Sequence, residues 1–303
     1  MNSEKKRLKE HSNREKDWKL WGPYVSQRQW GTVREDYSPG GDAWEYTTHD
    51  RSRSFAYRWG EEGIAGICDR KQLLCFSPAF WNGNDPIIKE TFFGLSGPQG
   101  NHGEDIKEYF YYLDNLPTHS YMKMLYKYPQ DEYPYKKLVD ENGRRNRRDR
   151  EFELIDTGIF SDDRYFDIFI EYAKNGPNDI LIRITPHNRG NKAALLYIIP
   201  QLWFRNTWAW GYDNYKPYLT ETGRHLIEAD HKSLGRYFLY TEEGDLLFCE
   251  NETNTERLYG AANKGKVKDG INNFIVNGDT GGVAAEKEGT KAGIVYKCEL
   301  EGR

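Results

Sequence analysis

Trp203, Arg205, Asn206, Trp208 and Trp210 fall within one short stretch, IIPQLWFRNTWAWGY (Ile198 to Tyr212). Tryptophan faces stack on the apolar face of a pyranose, and arginine and asparagine supply donors for its hydroxyls, so the set fits sugar recognition. The same residues fit a core ring followed by loop tryptophans packed against a neighbouring domain. Spacing separates the rings: on a strand Trp208 and Trp210 face one way, and Trp203 faces the other unless the chain bends. Asn206-Thr207 is where the strand would end, leaving Trp208 and Trp210 in a loop.

Two more segments concentrate polar and aromatic groups. Tyr24 to Trp44 carries Arg28, Trp30, Arg34, Glu35 and Asp36 among few core formers, and long ordered loops are often functional. GPQGNHGEDIKEY (Gly97 to Tyr109) presents Asn101, His102, Glu104 and Asp105; a polar loop whose Asn and Asp hold turns accounts for the same residues. Neither a phosphate-binding glycine pattern nor H-E-x-x-H occurs, and no metal or cofactor is expected. Glu250 and Glu252 stand two apart at the end of LLFCENETN. On a strand their carboxylates would lie about 6 to 7 Å apart, at the lower edge of the roughly 6.5 to 9.5 Å used by an inverting glycosidase. Side chains two apart point in parallel, however, whereas an acid and a base must flank the scissile bond. No Ser-His-Asp or Cys-His set can be assigned.

Behind these groups the periodicity is extended. Leu73–Trp81, Ile87–Leu95, Lys107–Asp114, Glu151–Phe160, Tyr165–Ala173, Asp179–Asn188, Ala193–Asn206, Arg236–Asn251 and Ala292–Leu300 are rich in β-branched and aromatic residues. Turn pairs such as Asn82-Gly83, Gly176-Pro177 and Gly244-Asp245 separate them. Ile180, Ile182 and Ile184 share one face of a half-exposed strand, and the more continuous apolarity of Ala193–Asn206 predicts burial on both faces. Ahead of the strands, residues 1–22 read as a charged helix whose Leu8, His11, Trp18 and Trp21 form a narrow stripe ending at Gly22-Pro23. The expected architecture is all-β: a large antiparallel β-sandwich over 23–303, preceded by that helix.

Composition bounds the partners. In 303 residues, 37% hydrophobic and 15% aromatic content is enough for a sizeable core, and 30% charged residues with net charge -4 make an ordinary hydrated surface. That balance argues against nucleic acid, which requires a basic face. The basic run Gly143 to Arg150 reads as a solvated loop after an Asn142-Gly143 turn. Cys68, Cys75, Cys249 and Cys298 show neither metal-site nor disulfide spacing. With no export signal or apolar span, a cytoplasmic location with no membrane contact is expected. The Asn251 to Thr253 sequon would carry no meaning there.

RQWGTVREDYS, YRWGEEGIAGICD, LCFSPAFWNGNDPIIKETFFGL, GNHGEDIKEYFYYLDNLPTHSYMKMLYKYPQ, DILIRITPHNRG, PQLWFRNTWAWG and CENETNTERLYG occur in this order. Together they resemble the N-terminal part of large bacterial glucosidases, similar to mannosyl-oligosaccharide glucosidase and glycoside hydrolase family 63, from about Trp18 onward. The resemblance implies a super-β-sandwich followed by an (α/α)6 barrel that cleaves α-glucosidic bonds with inversion. Both catalytic carboxylates of that family lie on the barrel, and no barrel sequence occurs here, so no catalytic residue is carried over. It implies a chain inactive alone, partnered by an (α/α)6 catalytic domain in cis or as a separate chain, with an oligosaccharide or glucoside as ligand. The Arg28 to Asp36, Asn101 to Asp105 and Trp203 to Trp210 groups would then border the sugar pocket or pack on the barrel. A carbohydrate-binding module standing alone, or a docking scaffold, is the alternative.

Overall fold

Asn2 accepts a 2.9 Å hydrogen bond from the Lys5 amide, capping helix α1 (Ser3–Ser12). The computed structural model describes residues 2–27, 48–103, 105–212 and 214–303. The helix ends well before the expected Gly22, where Arg14 takes a left-handed φ of 60°. Trp18 turns back to donate to Glu10 at 2.7 Å. Trp18 and Trp21 are both buried, so burial of the rings, not continuation of the stripe, decides this segment.

Further helices are α2 (His49–Ser52), α3 (Tyr135–Arg144), α4 (Thr255–Tyr259) and α5 (Gly270–Asn277). The strands among the described residues are β1 (Trp21–Pro23), β2 (Ile67–Asp69), β3 (Leu74–Trp81), β4 (Gly94–Leu95), β5 (Asp105–Ile106), β6 (Tyr109–Asn115), β7 (Tyr121–Pro129), β8 (Tyr165–Gly176), β9 (Asp179–Asn188), β10 (Ala194–Phe204), β11 (Tyr218–Gly223), β12 (Leu226–His231), β13 (Gly235–Tyr240), β14 (Asp245–Cys249), β15 (Glu288–Gly289) and β16 (Lys291–Leu300). They form a six-stranded sheet ordered β1-β2-β3-β10-β16-β14 and two four-stranded sheets, β6-β7-β8-β9 and β13-β12-β11-β15. β4 and β5 pair separately. The pairings are antiparallel throughout. The protein is thus mostly β, with several antiparallel sheets and a short N-terminal helix.

Alternation explains which faces meet. Phe76, Phe80, Ile198, Leu202 and Ile294 of the six-stranded sheet share one core with Met124, Tyr126, Ile168 and Ile170 of β7 and β8 and with Leu219 and Ile227 of β11 and β12. The opposite face presents Ala79, Ile199 and Leu247, and Ile271 at the start of α5 packs there. β10 is therefore covered on both faces, which is why its sequence is nearly continuously apolar.

Two expected strands fail. Residues 87–96 are all buried and leave no alternating face; Lys89 makes one bridge to Phe80, and β4 is all that follows of a strand. In Glu151–Phe160 the Asp156 carboxylate accepts from the Glu153 amide at 2.9 Å and Gly158 adopts φ 80°, so local bonds wind Leu154–Thr157 into a 3-10 turn. Helices α3 and α5 and strands β7, β11 and β12 were not expected. Asn142 lies inside α3, not in a turn. Among the described residues no helix is long and apolar enough to cross a membrane.

Lys174 ties the N-terminal segment to β8. Its ammonium donates to the Trp18 and Trp21 carbonyls at 2.7 and 2.5 Å, with no carboxylate among the described residues in direct contact. Burial pushes its pKa down to about 8. Between pH 8 and the ordinary lysine value near 10.4 the unfolded chain holds the extra proton, so this group makes stability rise with pH by up to about 1 kcal/mol per unit. Urea unfolding across that window should show a slope in wild type that is flatter in Lys174→Met; parallel slopes would reject the assignment.

Candidate functional site

Where β10 ends, the chain is held by asparagines. Asn251, just past β14, is almost fully buried: its side-chain Oδ1 accepts from the Tyr57 amide at 2.8 Å, and its Nδ2 donates to the Phe204 and Tyr57 carbonyls at 2.8 and 3.0 Å. Asn206 is fully buried beside it. Its Nδ2 donates to the Asn251 carbonyl at 2.8 Å and to Glu252 at 3.1 Å, and its Oδ1 accepts from the Ala209 amide at 3.1 Å. That last bond starts the 3-10 turn Trp208–Trp210, which closes at Gly211 in a left-handed conformation, φ 74°. Buried Asn206 and Asn251 are thus the frame of this aromatic turn. The amide of Asn251 is fully engaged, so the sequon is closed to modification in the folded chain.

Charged and aromatic groups converge on the turn. Trp208 donates its indole N–H to Glu252 at 2.5 Å. The Lys216 ammonium lies 3.0 Å from Glu250, 3.6 Å from Glu252 and 5.6 Å from the Trp208 ring centre. Thr290 donates to Glu250 at 2.6 Å. Trp210 stacks on Trp59 at 5.2 Å and 28°, with the Arg205 guanidinium 5.7 Å from its ring and Tyr212, 88% exposed, set edgewise at 6.1 Å. The Trp59 backbone is set by Glu61, which accepts from the Arg58 and Trp59 amides at 2.9 and 2.6 Å; burial pushes the Glu61 carboxyl above its ordinary value. Trp203 instead turns into the interior against Tyr57, with ring centres 5.3 Å apart.

Of the residues singled out from sequence, Arg205, Asn206, Trp208, Trp210, Glu250 and Glu252 therefore meet at one rim, and Trp203 lies beneath it. Glu250 and Glu252 share one ammonium, that of Lys216. Asn101 and His102 lie elsewhere, bonded to the Asn146–Asp149 turn. Arg28, Trp30, Arg34, Glu35, Asp36 and Glu104 lie outside the described residues. Sequence reading missed Trp59, Glu61, Lys216 and Asn251 as parts of the rim; YRWGEEG carried a signal for the first two in its aromatic and acidic density.

Asp105 joins Glu151 and Glu153 in a trio of carboxylates whose oxygens lie within 4.8 Å of one another. A cation already fills this trio: the Lys107 ammonium, at 2.6, 2.9 and 3.1 Å. Burial opposes charge on Lys107, but its hydrogen bonds to Asp105 and Glu151 outweigh that and raise its pKa. The arrangement is a part-buried ion cluster in which Lys107 supplies the positive charge.

No known family profile matches the chain. An uncharacterised protein of Saccharomyces cerevisiae (strain ATCC 204508 / S288c), YMR196W, is 44% identical over 331 residues, covering 97% of the chain and 30% of the yeast protein. The chain thus spans under a third of the length of the curated relative it matches.

Proposed function

We propose that this chain is the β-rich, non-catalytic portion of a larger glucosidase, and that the Trp208–Trp210 rim borders a sugar pocket completed by a helical catalytic domain. In this reading the sheets constitute a single super-β-sandwich, and the whole protein cleaves α-glucosidic bonds in the cytoplasm. The observation that carries it is the rim: stacked Trp59 and Trp210 with exposed Tyr212 offer ring faces, and Arg205, Lys216, Glu250 and Glu252 stand beside them with donors and acceptors. The ordered family-like motifs and the much greater length of the yeast relative agree with it. Because these rings belong to the chain itself, the same observation also favours a carbohydrate-binding module as second reading.

Both readings expect no hydrolysis by the chain alone, and the binding-module reading further expects it to bind α-glucosides. Calorimetry with maltose and a mannosyl-glucose disaccharide should show saturable binding that weakens about tenfold or more in Trp210→Ala, given the usual worth of a stacked ring. Sugar turnover by the chain alone would sink the non-catalytic assignment. Binding equal in wild type and Trp210→Ala, or absent for every glucoside tried, would remove the binding-module reading.

A further inference from the structure

Five of the seven residues at positions 144–150 are arginine, in a chain of net charge -4. The backbone that carries them is fixed by other residues. At the base of the loop, fully buried Asn142 donates to the Leu138 and Phe152 carbonyls and accepts from the Phe152 amide, each at 2.9 Å. At the tip, Asn146 and Asp149 close a turn: the Asn146 amide donates to the Asp149 carboxylate at 2.8 Å, and the Arg148 amide donates to the Asn146 side chain at 2.8 Å. Asn101, itself buried, reaches across to donate to the Asn146 and Asp149 carbonyls, both at 3.1 Å.

Two of the arginines serve this frame. Arg145 lies over the Phe152 ring at 5.1 Å and donates to the Arg150 carbonyl at 2.7 Å, and Arg144 pairs with Glu141 at 3.2 Å. The other three have no such role. Arg147, Arg148 and Arg150 are exposed, and no carboxylate among the described residues lies within ion-pair distance of them. Asp149, the acid between them, is committed to the Asn146 amide. Three like charges on one turn repel each other, and none of their side chains supplies a bond that forms the turn.

We propose that Arg147, Arg148 and Arg150 form a preorganised docking point for a carboxylate-rich segment of a partner protein. Guanidinium forks match carboxylates bidentately, and a turn already pinned at base and tip loses little entropy on binding. A nucleic-acid track fits less well: the basic surface is one turn long, and Glu151, Glu153 and Asp156 follow it directly. This surface is separate from the aromatic rim and does not depend on the sugar-binding reading.

The test is fluorescence anisotropy with a labelled decapeptide containing six glutamates, at low and near-physiological salt, and a labelled DNA duplex as competing probe. Wild type should bind the peptide in a salt-sensitive manner, and R147S/R148S/R150S should weaken it about tenfold or more with an unchanged melting temperature. The single charge reversal R148E keeps the test open should the triple variant fold poorly, and it too should lose most of the binding. Peptide binding that survives both changes, no peptide binding by wild type, or tighter binding of the duplex than of the peptide would each overturn the proposal.

Discussion

Asn251→Ala is expected to lower the free energy of unfolding by about 3 to 5 kcal/mol, because three buried backbone groups lose their partner at once and each orphaned group costs about 1 to 3 kcal/mol. The groups are the Tyr57 amide and the Tyr57 and Phe204 carbonyls. Urea unfolding followed by tryptophan fluorescence reads this as a fall in midpoint at constant slope. The damage should extend to the rim, since Asn206 and through it Glu252 hang on the Asn251 backbone. Asn251→Asp keeps the acceptor for Tyr57 but loses both donations and buries a charge, so it should not rescue. A loss below about 1 kcal/mol in Asn251→Ala would mean that these backbone groups find other partners, and the frame described for the aromatic turn would be wrong.

Lys89→Met is the second large effect. The Lys89 ammonium is buried 2.8 Å from Glu108 and 3.6 Å from the centre of the Tyr133 ring. Glu108 also accepts from the Phe93 amide and the Tyr126 hydroxyl, each at 2.9 Å. Removing one partner of a buried pair leaves an uncompensated charge and costs about 3 to 5 kcal/mol. Burial already raises the Glu108 pKa, with the Lys89 charge opposing it; without Lys89 it should rise further. A carboxyl whose folded pKa exceeds the unfolded one stabilises the fold at low pH and loses that contribution as pH rises through the folded value. The variant should accordingly be less destabilised at pH 5 than at pH 8, and Lys89→Met with Glu108→Gln should recover part of the loss. A pH-independent deficit that Glu108→Gln does not relieve would show that the effect is packing around Tyr133 and not charge.

Legibility differed by element. β3, β8, β9, β10 and β16 were readable because each combines β-branched or aromatic residues with clear turn signals, and β9 even in its exposure, with Ile180, Ile182 and Ile184 more covered than Leu181 and Arg183. β7 alternates just as cleanly, with Met122, Met124, Tyr126 and Tyr128 inward, yet its lysines and tyrosines hide that face in composition. Ile87–Leu95 misleads for the opposite reason: its apolarity reflects burial all round, which a chain can reach without pairing. Glu151–Phe160 misleads because one Asp and one Gly outweigh its strand formers. The end of α1 was set by where Trp18 and Trp21 find cover, which no stripe reveals.

The sequence by itself determined the β-rich class, the positions of β3, β6, β8, β9, β10 and β16 and an aromatic turn after β10, since period, turn chemistry and propensity act over a few neighbours. Only the tertiary structure decided that Trp203 is covered while Trp210 stacks on Trp59, and that Glu250 and Glu252 share Lys216. It also made Asn101 a brace for an arginine turn instead of part of the rim. Each of these depends on strand pairing that brings distant segments together, and on buried polar groups satisfied by whatever partner that pairing delivers.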